Sequence, residues 1–149
     1  MKTVSEIMTT DIITVTKDTS IRELAELFVT HRVSTLPVLD VNGKLAGLVT
    51  ESDLVGQTES IHLPKMITLF DWVIYLQSEK TLEKELQRMS GRTVADIYQP
   101  DVATLAPTAT INEAADIIGS QKANAIPVLD NGKLVGIVAR IDIIRTLLG

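Results

Sequence analysis

The sequence predicts an α/β protein made of two copies of one β-α-β-β-α unit. The first observation is a repeated segment: residues 36–53 read LPVLDVNGKLAGLVTESD, and residues 126–142 read IPVLDNGKLVGIVARID, one residue shorter in the turn. The second observation is that a short apolar run and a helix-start signal precede each copy at matching positions. Self-similarity of this kind indicates duplicated structural units. We therefore expect two similar repeats in one compact module.

The first copy contains five predicted elements. They are a strand over residues 12–15, a helix from residue 21 to about residue 31, strands over 36–39 and 44–50, and a short helix that begins after residue 50. The strands are apolar runs bounded by turn residues. Each helix begins at a capping box, in which a hydroxyl accepts from the N3 amide and a carboxylate reaches back, as Ser20 with Glu23 and Thr50 with Asp53.

The second copy repeats this order with one difference. Its predicted elements are a strand over residues 102–105, a helix that begins at residue 111, strands over 126–129 and 133–139, and a final helix that extends through residue 148. Asn131 and Gly132 favour a two-residue hairpin loop because both tolerate positive φ. Ala139 stands where the first copy has Thr50, so the last helix of this copy has only the carboxylate of Asp142 for its capping box.

Residues 57–93 form an insert between repeat 1 (residues 1–56) and repeat 2 (residues 94–149). The insert has an apolar-aromatic stretch followed by a charged segment with helical spacing, so we predict that it is helical. Two interpretations are open. It covers the core or the dimer surface of the module, or it provides a docking surface for a partner protein.

Composition excludes several functional classes. The net charge of −5 without a long block of like charges argues against a nucleic-acid partner. The absence of cysteine excludes disulfides and thiolate metal sites, and we predict no metal. No apolar run is long enough for a membrane span, and the start of the chain has no signal-peptide pattern. We therefore expect a soluble, cytoplasmic protein. The mean hydropathy of +0.22 is high for its size and suggests an apolar surface that a second copy or a partner covers.

No catalytic signature is present. The chain lacks the glycine-rich phosphate-binding motifs and the nucleophile and zinc-protease motifs of common enzymes. Its two histidines, His31 and His62, stand outside any such motif. We expect a protein that is not an enzyme and has no catalytic residues.

Both copies resemble the CBS domain (the cystathionine-β-synthase-type domain), as found in stand-alone tandem pairs of bacteria and archaea. The motifs that carry the resemblance are Leu36–Asp40 with Gly47–Asp53, and Ile126–Asp130 with Gly136–Asp142. The resemblance implies two repeats packed sheet to sheet about a pseudo-twofold axis. It also implies a homodimer in the form of a flat disc, with adenosine-containing ligands in clefts between the repeats.

Three residues are candidates for contact with a ribose: Thr50, Asp53 and Asp142. An ionised aspartate has two acceptor oxygens and no donor, which suits the two adjacent hydroxyls of a ribose. The dipole of the helix keeps such an aspartate charged. Thr50 can add a hydroxyl donor, and since the second copy lacks this threonine, we predict that the site at Asp53 is the more complete one. The alternative is that Thr50 and Asp53 form an ordinary capping box and nothing more.

The resemblance implies that each cleft joins the aspartate of one repeat to the first strand and the pre-proline segment of the other. The first cleft, beside Asp53, would then be lined by Leu48, Thr50, Ala103, Ala123 and Asn124. The second cleft, beside Asp142, would be lined by Ile13, Val33, Ser34, Ile137 and Ala139. These small or aliphatic side chains suit a flat purine, although each is also typical of core packing. The candidate phosphate contacts are Arg32, Lys122 and Arg140, each of which is alternatively a solvated charge at a helix end.

We therefore predict a regulatory module that binds an adenosine-containing ligand and acts in trans on a partner protein. AMP, ADP, ATP and S-adenosylmethionine-like compounds are the candidate ligands, and no other cofactor is required. The alternative is a structural module that dimerises and docks a partner without a ligand.

Overall fold

The computed structural model describes residues 2–56, 92–121 and 123–148. The predictions that concern residues 57–91 of the insert, and Lys122, lie outside the described residues.

The described part of the chain forms two repeats of mixed helices and strands. Repeat 1 contains helix α1 (Val4–Ile7), strand β1 (Val15–Thr16), helix α2 (Ile21–His31), strands β2 (Thr35–Leu39) and β3 (Leu45–Thr50), and helix α3 (Glu51–Val55). Repeat 2 contains a 3₁₀ turn (Val94–Asp96), helix α4 (Ile111–Gln121), strands β4 (Ala125–Asp130) and β5 (Lys133–Ala139), and helix α5 (Arg140–Thr146). This arrangement confirms the predicted fold class.

Each repeat has a small sheet. In repeat 1 the strand order is β1-β2-β3, with β1 parallel and β3 antiparallel to β2. In repeat 2, β4 pairs antiparallel with β5, and Leu105 forms a single parallel bridge to Val128. The two predicted first strands are therefore shorter than expected. Ile13 and Ala103 lie outside the strands and line the clefts between the repeats.

The turns and helix starts explain why the strands end where they do. Asn131 and Gly132 have φ angles of 53° and 83°, which confirms the predicted two-residue hairpin with positive φ at both positions. The corresponding turn of repeat 1 is held by Asp40, whose Oδ1 accepts from the amides of Asn42 (2.8 Å) and Lys44 (3.0 Å). At the start of α2, Ser20 accepts from the amide of Glu23 as the capping box predicts.

Each core contains a segment from the other copy. Val4 of α1 is fully buried in a cluster with residues of repeat 2, and its amide donates to Ala109 O (2.8 Å). Val94 is fully buried in the core of repeat 1, and its amide donates to Thr19 O (2.9 Å). The boundaries of the sequence copies are therefore not the boundaries of the packed cores. Helix α1 and these two crossings were not predicted.

The two crossing segments, residues 4–9 and 94–99, end in equivalent pairs of reciprocal backbone hydrogen bonds. Gln99 pairs with Leu48 on β3 (2.8 and 3.0 Å), and Thr9 pairs with Ile137 on β5 (2.8 and 3.0 Å). Gly47 permits the first approach, because a Cβ there would overlap the carbonyl oxygen of Gln99 and lie 2.9 Å from the ring of Tyr98. These pairs fix Gln99 and Thr9 beside the helices α3 and α5.

Candidate functional site

Two cavities lie between the repeats at the predicted positions. The first cleft has a volume of about 270 Å³ and the second cleft a volume of about 310 Å³. The wall of each cleft contains residues of both repeats. Thr35, Asn124 and Ala125 belong to both walls, so the two clefts share a boundary at the starts of β2 and β4.

The structure brings together every aliphatic and small residue that was predicted for the two clefts. The first cleft is lined by Leu48, Thr50, Ala103, Ala123 and Asn124. The second cleft is lined by Ile13, Val33, Ser34, Ile137 and Ala139, together with Asp142. Their contact with a ligand stays a prediction.

In the first repeat, Asp53 is half-buried and does not form part of the cleft wall. The amide of Thr50 donates to its Oδ2 (2.8 Å), and the amide of Asp53 donates to Thr50 Oγ1 (3.1 Å), which completes the capping box of α3. The side chain of Gln99 donates to the other oxygen, Oδ1, from Nε2 at 2.9 Å. Both carboxylate oxygens of Asp53 therefore already accept a hydrogen bond of ordinary length.

In the second repeat, Asp142 is only 4% exposed and does form part of the cleft wall. The amide of Ala139 donates to its Oδ2 (2.8 Å). The contacts to Oδ1 are longer: Thr9 Oγ1 and Arg145 Nη1 each lie at 3.4 Å. Since Ala139 has no side-chain oxygen, only half of a capping box is present, and Asp142 is held by one short and two long contacts.

The two clefts also differ in charge. Arg32 and Arg145 line the second cleft together with Asp11 and Asp142, whereas Asp101 is the one charged residue of the first wall among the described residues. Arg32 occupies the C-cap of α2 in the left-handed conformation (φ 51°). Of the predicted phosphate contacts, Arg140 lies outside both walls, and its Nε donates to Ala123 O (3.2 Å).

The cleft residues that sequence reasoning missed include four with polar side chains near the aspartates or at the shared boundary: Thr9, Thr35, Gln99 and Arg145. Thr9 and Gln99 reach the aspartates only because the segments cross between repeats. Thr35 is 8% exposed, and its Oγ1 has no hydrogen-bond partner within the described ranges. Alignment of the two copies could have pointed to the pairs Thr9/Gln99 and Thr35/Ala125, where the repeats differ in polar chemistry.

Metal sites and membrane spans are absent from the part of the chain that the structure describes. Residues 2–56, 92–121 and 123–148 contain no group of three His, Cys, Asp or Glu side chains that could hold a metal ion. Within these ranges, none of the helices has the length and apolar character needed to cross a membrane.

Comparison with known proteins identifies relatives along the whole chain. The CBS domain-containing protein CBSX1 of Arabidopsis thaliana, a chloroplast protein, is 32% identical over 98% of this chain and 64% of its own length. A protein of Methanocaldococcus jannaschii is 31% identical over 91% of this chain and 86% of its own length. The chain thus spans less than two thirds of the plant relative and most of the archaeal one.

Solved structures and the family model agree with this result. The CBS-pair protein CBSX2 from Arabidopsis thaliana aligns with a TM-score of 0.78 at 28% identity, over 98% of this chain and 94% of that one. Its crystal structure in complex with AMP aligns with a TM-score of 0.74 at 27% identity, over 99% and 97% of the two chains. The family model of the CBS domain matches residues 4–58 and again residues 94–149. The chain therefore belongs to the CBS domain family and carries two CBS domains in tandem.

Proposed function

We propose that the protein is a regulatory module that binds an adenosine-containing ligand between its two CBS domains. The observation that carries this proposal is the pair of clefts between the repeats, each beside an aspartate that a backbone amide holds at 2.8 Å. A carboxylate held in this way can accept hydrogen bonds from adjacent ribose hydroxyls. The volumes of about 270 and 310 Å³ are near the lower end of the range for small-molecule sites and suit a nucleoside or nucleotide. The CBSX2 structure with AMP supports this ligand class.

The charges of the walls support different ligands for the two clefts. The wall of the second cleft has two arginines, Arg32 and Arg145, beside two aspartates, and these arginines are cationic partners for a phosphate, as in AMP or ADP. Among the described residues, Asp101 is the one charged residue in the wall of the first cleft. Its negative charge favours an uncharged nucleoside or a cationic S-adenosyl compound. The proposal requires no further cofactor and no catalytic step.

Regulation would follow because both repeats contribute residues to the wall of each cleft. Because residues of both repeats line each cleft, a ligand that binds there contacts both CBS domains at once. Such a ligand stabilises the arrangement of the repeats that binds it best, and a partner protein that recognises this arrangement responds to the ligand in trans.

Thermal unfolding of ligand-free protein with AMP, ADP, ATP, S-adenosylmethionine or adenosine tests the proposal. At least one compound should raise the melting temperature at millimolar concentration, because a ligand that binds only the folded state stabilises it. Guanosine monophosphate serves as the control for a ribose phosphate with a different base. The double substitution Asp53→Ala with Asp142→Ala should remove the rise. Asp116→Ala, an exposed carboxylate outside both walls, should keep it. No rise with any of these compounds would contradict the proposal.

A second candidate function, dimerisation and partner docking without a ligand, is favoured by one surface. Apolar side chains along α5 and just after it are exposed: Ile141 (51%), Ile144 (52%), Leu147 (81%) and Leu148 (86%). A homodimer through this surface would bury them. Native mass spectrometry of freshly purified protein separates the candidates, since it measures oligomeric state and bound ligand mass together. A dimer that carries an adenosine compound supports the first candidate, and a ligand-free dimer supports the second.

A further inference from the structure

We propose that the side chain of Gln99 blocks the first cleft, so that AMP occupies the second cleft, beside Asp142, before the first. Gln99 does this by donating to the oxygen of Asp53 that a ribose hydroxyl would use. The inference rests on the proposed function, because it ranks the two clefts which that function employs.

The contact between Gln99 and Asp53 is a hydrogen bond of ordinary length at the surface, between an exposed amide and a half-buried carboxylate. Nε2 lies 2.9 Å from Oδ1, and the acceptor is a carboxylate, so the bond is charge-assisted. The other oxygen, Oδ2, accepts from the amide of Thr50. Gln99 lines the first cleft and Asp53 does not. A ribose hydroxyl that enters this cleft meets the amide of Gln99 before it meets the carboxylate.

The backbone of Gln99 is fixed in place. Its amide and its carbonyl pair with Leu48 on β3, and Gly47 leaves the room that this approach needs. Only the side chain of Gln99 can therefore move aside for a ligand, and in doing so it exchanges its bond to Asp53 for bonds to water. The loss of this bond makes the binding free energy of a ligand in the first cleft less favourable.

The equivalent position in the second cleft is Thr9, which has the same backbone pairing but a shorter side chain. Thr9 pairs with Ile137 as Gln99 pairs with Leu48. Its hydroxyl lies 3.4 Å from Asp142 Oδ1, and Arg145 Nη1 lies at the same distance. Both contacts are at the long end of hydrogen-bond distances, although that of Arg145 is also an ion pair, so the bond of Thr9 is the one that a ribose hydroxyl would displace; Asp142 itself borders the cleft. A ribose hydroxyl can reach this carboxylate with a smaller loss of existing bonds.

Isothermal titration calorimetry with AMP tests the order of the clefts. Ligand-free wild-type protein should bind one AMP per chain tightly and a second one more weakly. Asp142→Asn should remove the tighter event, and Asp53→Asn should leave it in place. The inference is overturned if Asp53→Asn removes the tighter event while Asp142→Asn keeps it, or if the two clefts bind with equal affinity.

Substitutions that exchange the side chains of Gln99 and Thr9 test the role of Gln99 itself. In protein that also carries Asp142→Asn, only the first cleft titrates, and Gln99→Thr should increase its affinity for AMP about threefold, since an exposed hydrogen bond to a carboxylate is no longer displaced. Gln99→Ala, which removes the amide without adding a hydroxyl, should act in the same direction and serves as the second variant if Gln99→Thr does not fold. Thr9→Gln should weaken the tighter event of otherwise wild-type protein by a similar factor.

The matched control is Thr108→Gln, the same change at an exposed residue outside both walls, which should alter neither event. Melting curves of each variant establish that it is folded. If Gln99→Thr and Gln99→Ala are both folded and bind AMP in the first cleft no more tightly, Gln99 does not block this cleft. If wild-type protein binds no AMP at millimolar concentration while another adenosine compound binds, the proposed order of AMP binding is wrong although the proposed function stands. If none binds, the proposed function itself fails, and this result is distinct from two equal clefts.

Discussion

The two repeats begin their last helices with the same aspartate but surround it differently. In repeat 1, Thr50 completes the capping box, and Gln99 donates to the remaining oxygen of Asp53. In repeat 2, Ala139 supplies only its amide, and the other oxygen of Asp142 has two long contacts. The same carboxylate oxygens serve the helix start and would serve a ligand. The comparison teaches that the better capped aspartate has fewer acceptor sites left for a ribose.

The largest expected difference between the repeats concerns the glycines ahead of these helices. A Cβ at Gly47 would overlap the backbone oxygen of Gln99, whereas a Cβ at Gly136 would meet the side chain of Met8, which can move, and Thr9 O at 3.1 Å. We expect Gly47→Ala to lower the free energy of unfolding by about 3 kcal/mol and Gly136→Ala by about 1 kcal/mol. Urea denaturation measures both. Equal losses would show that the two crossings are packed alike.

The crossing segments should contribute equally to the two cores. Val4 and Val94 are each fully buried in the core of the other repeat. Val4→Ala and Val94→Ala should each lower the free energy of unfolding by about 2 kcal/mol, through lost apolar burial and the cavity that remains. Val41→Ala, at a position 99% exposed, is the control and should have little effect. An effect of Val4→Ala no larger than that of the control would argue against the exchange of segments.

The capping difference should appear as a smaller, opposite pair of changes. Thr50→Ala removes the oxygen that accepts from the amide of Asp53 and should cost about 1 kcal/mol of the free energy of unfolding. Ala139→Thr supplies the missing oxygen of repeat 2 and should gain up to about 1 kcal/mol. Both are measured by the shift in the denaturation midpoint. The account of the half capping box fails if Ala139→Thr destabilises while Thr50→Ala has no effect.

The smallest expected effect lies at the boundary shared by the clefts, where repeat 1 has Thr35 and repeat 2 has Ala125. Thr35→Val keeps the shape of the side chain and removes a buried hydroxyl that has no partner within the described ranges. It should leave the free energy of unfolding unchanged or raise it by up to about 1 kcal/mol. Thr104→Val, at an exposed residue, controls for the change of side chain. A clear loss at Thr35 alone would reveal a hydrogen bond of its hydroxyl in solution.

Much of this architecture could be predicted because its signals are local. The capping box at Ser20 and the apolar spacing after it predict α2 correctly from Ile21 to His31, and the residues 133–139 predicted as a strand form β5. Other features depend on contacts between distant residues. Helix α1 is stabilised by burial of Val4 against repeat 2, and residues 12–13 and 102–103 run along the clefts outside the strands. No periodicity within these segments indicates either arrangement.

The candidate site shows the same division. The cleft residues could be assigned from the family resemblance, because each copy contains the motif that positions them. Gln99 and Thr9 could not, because each reaches an aspartate of the other repeat through a crossing that the sequence does not reveal. The sequence ranks the site at Asp53 first on account of Thr50, and the contact of Gln99 argues for the opposite order. Both rankings stay predictions until binding is measured.

A crystal structure of the protein grown with AMP tests the central claim most directly. The account predicts AMP in the second cleft, with its ribose hydroxyls within hydrogen-bond distance of the carboxylate of Asp142 and the bond between Gln99 and Asp53 retained. AMP bound outside both clefts would contradict the proposed function. AMP in the first cleft alone, with Gln99 still bonded to Asp53 or turned away from it, would contradict the order of the two clefts.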